Sequence, residues 1–168
     1  LLPLSSARSA GKTVRFRGED VTVREATEEA FRGVDIVLGA AEADIARKFA
    51  PAIRAAGAVF VDNSSAFRLD SQVPLIVPEI NPQDAKNHHG ILSNPNCSTI
   101  ITMVAVNALN GLSPIRTITA TTFQAVSGAG AGGPVELEQE VQAKLRGENY
   151  TPKVFPYPIA YNVIPQIG

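Results

Sequence analysis

The stretch GVDIVLGAAEADIARKFAPAIRAAGAVFVDNSS, residues 33–65, decides the fold of this chain. Its first part, residues 33–40, is an apolar run that ends in Gly and Ala and is typical of a buried strand in a parallel sheet. Residues 42–57 are rich in alanine and predict a helix with one apolar face, which Pro51 is expected to kink or split. Residues 58–65 are a second apolar run that ends in polar residues. Strand, helix and strand in this order predict an α/β unit with a parallel sheet.

Outside this unit, the pattern of apolar, turn-forming and helix-ending residues predicts several further elements. They are a hairpin at 12–25 around Gly18-Glu19-Asp20, an extended segment at 74–81, a short strand at 90–96, a helix at 98–110, a long strand at 115–126 and a helix at 134–147. The long strand is rich in β-branched residues and suits a second, differently built sheet. We therefore expect two domains, residues 1–97 and residues 98–168.

Composition and charge exclude several classes of protein. Hydrophobic residues make up 45% of the chain and charged residues 18%, which is ordinary for a globular protein, and the net charge of −1 offers no electrostatic basis for binding nucleic acid. No apolar run reaches the roughly 18 residues of a membrane span. A single cysteine excludes an intrachain disulfide framework and favours a reducing, cytoplasmic location. His88 and His89 lie in a polar stretch without further ligand-type neighbours, so no metal site is predicted.

The single cysteine, Cys97, lies in the stretch SNPNCSTI at 93–100. Pro95 and the asparagines around it predict a polar turn rather than a core segment. Cys97 then falls in the first turn of the predicted helix, where the helix dipole favours a thiolate and backbone N–H groups can stabilise an oxyanion. A buried structural thiol is the commoner role of a lone cysteine. The residues by themselves leave both roles open.

Four segments, in order and spacing, resemble the bacterial aspartate-semialdehyde dehydrogenases over essentially the whole chain. They are SSARSAGK at 5–12, VDNSSAFR at 61–68 followed by VPLIVPEIN at 73–81, NPNCSTI at 94–100, and FQAVSGAG at 123–130. Two relatives share acyl-thioester chemistry, but phosphorylating glyceraldehyde-3-phosphate dehydrogenases carry Cys-Thr-Thr-Asn and N-acetyl-glutamyl-phosphate reductases carry Pro-Gly-Cys. The resemblance implies a partial Rossmann-type NADP-binding domain followed by the start of an α+β catalytic and dimerisation domain, in a glyceraldehyde-3-phosphate dehydrogenase-like fold.

The resemblance also implies a catalytic mechanism and the residues that perform it. Cys97 attacks the acyl carbon of aspartyl phosphate, phosphate leaves, and hydride from NADPH reduces the thioester to the aldehyde. Gln124 is implied to orient the substrate or the acyl intermediate, and Asn96 to support the cysteine and its intermediates. Arg68, after a strand end where α/β folds bind ligands, is implied to bind the phosphate group.

The cofactor residues are predicted partly from chemistry and partly from the resemblance. NAD sites of this architecture place an acidic residue after the second strand, and SSARSAGK at 5–12 has none. Arg8 and Ser9 offer a cation and a hydroxyl, which favours NADP over NAD. By resemblance, Ser127 and Gly128 approach the nicotinamide half of the cofactor.

Asn63 and Ser64 are weaker candidates for the same cofactor region. The resemblance implies that a Gly-rich phosphate loop precedes Leu1, and that the acid/base histidine and the arginine that binds the substrate carboxylate follow Gly168. We therefore expect the chain by itself to be inactive. The expected partners are a small-molecule substrate and inorganic phosphate, in a homodimer or homotetramer. An N-acetyl-glutamyl-phosphate reductase-like enzyme and a non-catalytic binding or assembly module of the same fold remain alternatives.

Overall fold

The computed structural model describes residues 1–165, and within them the chain forms seven short strands and three α-helices. The strands are β1 Leu4–Ser5, β2 Thr13–Phe16, β3 Glu19–Thr22, β4 Arg24–Glu25, β5 Ile36–Gly39, β6 Val59–Asp62 and β7 Ile91–Ser93. The α-helices are α1 Ala43–Ala55, α2 Cys97–Asn110 and α3 Gly132–Leu145. Short 3-10 helices cover Glu28–Phe31, Pro82–Asn87 and Val126–Ala129.

The chain divides into two compact units, Leu1–Pro114 and Ile115–Gly168. Helix α2 therefore lies in the first unit of this structure, together with the parallel strands. The predicted division after Cys97 concerns the domains of the complete protein and stays a prediction.

The first unit is built on a parallel three-stranded sheet in the order β5-β6-β7. Ile36 pairs with Val59, and Phe60 pairs with Ile91, so the three parallel strands end next to one another. This is the α/β unit that the apolar runs predicted. The carboxyl ends of β6 and β7 consequently meet at one edge, where open α/β sheets bind ligands.

Helix α1 and the 3-10 helix before the sheet supply the other side of the core. The buried cluster consists of Phe31, Ala46, Phe49, Ala50, Ile53, Ala58, Phe60 and Ile91. The rings of Phe31 and Phe49 meet edge to face with 5.4 Å between centroids. Burial of this apolar face stabilises the helix at about 25 cal/mol per Å² removed from water.

Pro51 does not split α1, which runs unbroken over Ala43–Ala55, so the alternative of two helices is wrong. Proline removes one backbone hydrogen bond from a helix and normally breaks it. Here Phe49, Ala50 and Ile53 are buried on either side of the proline. Their packing against the sheet holds the turn in helical geometry.

Glycine is required at the end of β5 because the neighbouring strand comes close. A methyl group at Gly39 would lie 2.8 Å from Cζ of Phe60 and 3.3 Å from Oδ1 of Asp62. Both of those side chains are buried. The small residue that ends the first apolar run thus makes room for a buried aromatic ring and a buried carboxylate on the next strand.

The predicted hairpin is present as β2 paired with β3, with Thr13 opposite Thr22. Its turn lies at Arg17-Gly18, whereas Glu19 and Asp20 of the predicted turn belong to β3. Both turn residues have positive φ, 51° and 87°. Two consecutive positive φ angles are the requirement of a tight hairpin turn whose twist matches the strands. Strand β1 pairs in parallel with β4.

The second unit contains α3 and the turn at Val126–Ala129, and the predicted strand at 115–126 is wrong. The segment forms no strand, and residues 115–123 are exposed. A β-branched sequence favours extended backbone, but a strand needs a neighbour to complete its hydrogen bonds. Among residues 1–165, no strand pairs with this segment.

Two buried glutamates on α3 anchor the irregular segment that follows it. Glu136 accepts hydrogen bonds from the backbone N–H groups of Lys153, Val154 and Phe155, at 2.6, 2.8 and 2.9 Å. Glu140 in the same way accepts from the N–H groups of 159 and 160, at 2.9 and 2.8 Å. The two carboxylates lie one helical turn apart, so α3 presents a row of acceptors to a proline-rich stretch that lacks secondary structure.

Burial would raise the pKa of Glu136, but the N–H groups of Phe155, Lys153 and Val154 and the charge of Lys153 outweigh it and hold that pKa below 4.5.

Within the described part of the chain, no helix has the length and hydrophobicity that crossing a bilayer requires.

Candidate active site

Cys97 is exposed and is the first residue of α2, as its place in the sequence predicted. Asn96 precedes the helix, and its Oδ1 accepts a hydrogen bond from the backbone N–H of Ser98 at 2.9 Å. The Sγ of Cys97 lies 3.8 Å from the same Oδ1, within reach of a thiol hydrogen bond. One amide therefore both caps the helix and contacts the sulfur.

The surroundings of the thiol suit nucleophilic chemistry. Cys97 is exposed, so a substrate has access to its sulfur, and the first turn of α2 places backbone N–H groups beside it. The N–H of Ser98 is bonded to Asn96, so an oxyanion formed when Sγ attacks a carbonyl carbon would use other N–H groups of the first turn.

The loop after β6 is held by a buried carboxylate that the sequence analysis did not single out. Asp62 is fully buried, and its two oxygens accept hydrogen bonds from the backbone N–H of Ser64 at 3.1 Å and from its hydroxyl at 2.7 Å. The Ser64 hydroxyl in turn accepts from the N–H of Ala66 at 3.0 Å. An acidic residue that ends an apolar strand and is followed by serine is the signal that could have identified this turn.

Arg68 joins the loop after β6 to the loop after β7. Its Nε donates to the carbonyl oxygen of Asn94 at 2.9 Å, and its Nη2 donates to the carbonyl oxygen of Asn63 at 3.0 Å. The side-chain amide of Asn94 also donates to Oδ1 of Asn63 at 3.4 Å. The structure thus brings Asn63, Arg68 and the turn before Cys97 together at one edge of the sheet.

Gln124, Ser127 and Gly128 form a second group of candidate residues, all in the unit that begins at Ile115. Gln124 is half-buried, and a methyl group at Gly128 would lie 2.7 Å from its Nε2, so the Gln124 amide rests on the glycine backbone. A methyl group at Gly133, on α3, would overlap the carbonyl oxygen of Val126. The glycines therefore allow the helix, the turn and the glutamine to pack without a gap.

Arg8 and Ser9 lie in the turn that follows β1. The N–H of Ser9 donates to the carbonyl of Ser6 at 2.9 Å, and the N–H of Gly11 donates to the carbonyl of Val23 at 2.9 Å. These bonds fix the turn, while Arg8 itself is exposed. An exposed cation beside hydroxyl groups, with no carboxylate in the turn, is a donor set that fits the 2′-phosphate of NADP.

Among residues 1–165, the side chains of His, Cys, Asp and Glu form no group of three that could hold a metal ion. The histidines at 88 and 89 stand before β7, and Nδ1 of His88 accepts a hydrogen bond from the N–H of Gly90 at 3.0 Å. They lie beside the start of the strand, whereas Cys97 follows its end.

Two protein-family models match the chain. The NAD binding domain of semialdehyde dehydrogenase matches residues 1–88, and the dimerisation domain of semialdehyde dehydrogenase matches residues 106–168. The cysteine motif lies between the two matched ranges.

Curated relatives match nearly the whole chain. An aspartate-semialdehyde dehydrogenase of Synechocystis is 46% identical over 96% of this chain and 48% of its own length. One of Bacillus subtilis is 43% identical over 98% of this chain and 49% of its own length. The chain spans about half the length of the curated relatives it matches.

A solved structure gives the same result. The crystal structure of aspartate semialdehyde dehydrogenase II from Vibrio cholerae, complexed with ASA, matches with a TM-score of 0.86 and 40% identity, over 99% of this chain and 50% of that one. The predicted fold class is confirmed at this level: a mixed α/β chain with a nucleotide-binding domain and a dimerisation domain, in a glyceraldehyde-3-phosphate dehydrogenase-like fold.

Proposed function

Because the chain belongs to the semialdehyde dehydrogenase family, we propose that the complete protein is an aspartate-semialdehyde dehydrogenase. It converts L-aspartyl 4-phosphate to L-aspartate 4-semialdehyde in the biosynthesis of lysine, threonine and methionine. The observation that carries this proposal is the exposed thiol of Cys97 at the start of α2, in contact with Asn96. The names of the curated relatives support the choice of substrate.

Cys97 performs the covalent step. Its thiolate attacks the acyl carbon of the aspartyl phosphate, the bond from that carbon to the phosphate oxygen breaks, and phosphate leaves with the electron pair. NADPH, when bound, supplies the hydride that reduces the resulting thioester carbonyl. Collapse of the alkoxide releases the aldehyde and returns the thiolate of Cys97.

The other candidate residues position the reacting groups. Asn96 contacts the sulfur and supports the acyl intermediate, and Gln124, resting on Gly128, orients the substrate or that intermediate. Arg68 binds the phosphate through the guanidinium N–H groups that do not bond to the two backbone carbonyls. These assignments follow the family motif residue by residue.

The cofactor is NADP. Arg8 and Ser9 bind the 2′-phosphate, and Ser127 and Gly128, with Asn63 and Ser64, line the nicotinamide side. The chemistry of the turn after β1 supports this choice over NAD, since it offers a cation and hydroxyls and no acidic group.

The complete protein works as a homodimer or homotetramer in the cytoplasm, with inorganic phosphate as its second small-molecule partner. The family model for a dimerisation domain, matched over residues 106–168, supports the oligomer. The single cysteine of this chain favours a reducing compartment.

The test replaces the sulfur and follows the reaction in reverse. In the complete protein, Cys97→Ser is expected to lower the rate of phosphate-dependent NADP reduction with aspartate semialdehyde by at least about 1,000-fold. A serine hydroxyl is much harder to deprotonate than a thiol and is therefore a weaker nucleophile. Ser113→Ala, an exposed hydroxyl beyond the end of α2, serves as the matched control and should stay within about twofold of wild type.

Two results would contradict the proposal. If the wild-type protein reduces N-acetyl-glutamyl phosphate in preference to aspartyl phosphate, it is the related reductase. If the wild-type protein acts on neither acyl phosphate, and its Cys97 is alkylated no faster than free cysteine, it is a non-catalytic binding or assembly module.

A further inference from the structure

Arg68 is arranged as a brace between two loops. Its Nε and Nη2 bond to the backbone carbonyls of Asn94 and Asn63 at 2.9 and 3.0 Å. A guanidinium is planar and holds its donors at fixed spacing, so bonding two carbonyls at once fixes the distance between the loops that carry them. One side chain therefore links the loop after β6 to the loop that leads to Cys97.

Both loops are also tied to the sheet behind them. The N–H of Asn63 donates to the carbonyl of Gly39 at 3.0 Å, and the N–H of Asn94 donates to the carbonyl of Asp62 at 2.8 Å. The backbone N–H groups therefore face the sheet, while the carbonyls of Asn63 and Asn94 face Arg68. The arginine completes the hydrogen bonding of the two residues at which the chain leaves β6 and β7.

The position of Asn94 controls the position of the nucleophile. From Asn94 the chain passes directly through Pro95 to Asn96 and Cys97. Pro95 is buried and its ring fixes φ, which restricts the backbone between the Asn94 carbonyl and the start of α2. A shift of that carbonyl would move the cap residue and the sulfur with it.

We propose that Arg68 is a positioning residue for Cys97: it holds the turn at 94–97 so that the sulfur and its cap keep a reactive geometry before any substrate binds. The inference rests on the proposed function only in taking Cys97 as the nucleophile. It goes beyond phosphate binding, because two of the guanidinium donors bond to the backbone on either side of the site rather than to a ligand.

The test compares Arg68→Lys and Arg68→Gln with wild type in the complete protein. Lysine keeps a cation for phosphate but lacks the planar fork, and glutamine removes the charge. Arg47→Lys is the matched control, because Arg47 is exposed and makes one long bond of 3.4 Å to the carbonyl of Ala66. Circular dichroism confirms that each variant is folded.

Three measurements are made on each variant. Mass spectrometry of the peptide containing Cys97 gives its rate of alkylation by iodoacetamide near neutral pH without substrate. Amide hydrogen exchange follows residues 94–98. Steady-state kinetics separate kcat from the KM for inorganic phosphate.

If the inference is right, both Arg68 variants exchange faster at 94–98, alkylate Cys97 at a rate changed at least about fivefold, and lose roughly 10- to 100-fold in kcat. Arg47→Lys should match wild type in all three. Unchanged exchange and alkylation in Arg68→Lys, with a raised KM for phosphate at constant kcat, would overturn the inference and leave Arg68 a phosphate ligand only. Slow alkylation of wild type would contradict the proposed function instead, and hydrogen exchange would still decide the role of Arg68.

Discussion

In the proposed function, Arg8 selects NADP over NAD, and its side chain is exposed. The backbone bonds of Ser9 and Gly11 hold the turn around it, so its loss should leave the turn in place. A charge-assisted hydrogen bond to a phosphate contributes about 1.5–3 kcal/mol, which corresponds to roughly 10- to 100-fold in affinity. Cofactor preference can therefore be tested with one substitution.

In the complete protein, Arg8→Ala is expected to raise the KM for NADP about tenfold or more and to change the KM for NAD less than about threefold, since NAD lacks the 2′-phosphate. Steady-state kinetics with each cofactor measure the effect. Arg15→Ala, an exposed arginine on β2, removes the same charge away from the turn and serves as the control. Equal changes for both cofactors would refute the assignment.

At the scale of elements, side chains of α3 provide the hydrogen-bond acceptors that secondary structure would otherwise provide to the segment that follows it. Glu136 and Glu140 accept five backbone N–H groups from residues 153–160, and Lys144 donates to the carbonyl of Ala160 at 2.9 Å. A proline-rich segment cannot satisfy its own backbone in a helix or a central strand. The carboxylates supply those acceptors, so the order of the segment depends on these two side chains.

Because the pKa of Glu136 is lowered on folding, this carboxylate stabilises the folded state above its ordinary value of 4.5, and the contribution is lost as the pH falls through the lowered value. Glu136→Gln is expected to cost about 2 kcal/mol near neutral pH, since buried N–H groups lose an acceptor. It should also flatten the decline in stability on acidification.

The measurement is thermal unfolding of the complete protein at a series of pH values, with amide hydrogen exchange at residues 153–155. Glu138→Gln is the matched control, because Glu138 is exposed on the same helix and its only described bond is a long one of 3.4 Å to Gln142. Identical pH profiles for wild type and Glu136→Gln would show that the carboxylate contributes nothing.

At the scale of the whole molecule, α2 carries Cys97 on a helix that residues 1–165 cover only in part. None of its residues is charged or buried, and Ile101 is 73% exposed and Leu109 60%. A helix that is apolar on every side is stable in water only when other parts of the protein cover it. The relatives are about twice as long as this chain, so the remaining half of the protein is the expected cover.

The 168-residue chain, purified alone, is accordingly expected to show no phosphate-dependent NADP reduction with aspartate semialdehyde. It should also bind more of an apolar fluorescent dye per mole than the complete protein, because large apolar patches stay exposed. Enzyme assay and dye titration at equal concentrations measure both effects. Turnover by the chain alone would contradict this prediction.

The sequence by itself determined what depends on local pattern. The apolar runs and the alanine-rich segment between them specify the parallel α/β unit, because a buried strand and an amphipathic helix have distinct periods. The turn NPN before an uncharged apolar run places Cys97 at the start of α2, because helix starts follow short-range rules. Four ordered motifs then pointed to the family.

Only the tertiary structure decided what depends on partners distant in the chain. The strand predicted at 115–126 is absent because strand pairing needs a neighbour that local propensity cannot supply. Pro51 stays inside α1 because packing against the sheet outweighs the lost hydrogen bond. Arg68 bonds to a carbonyl 26 positions away, and that brace was hidden from the sequence because backbone carbonyls look alike until the fold brings one within 2.9 Å of the guanidinium.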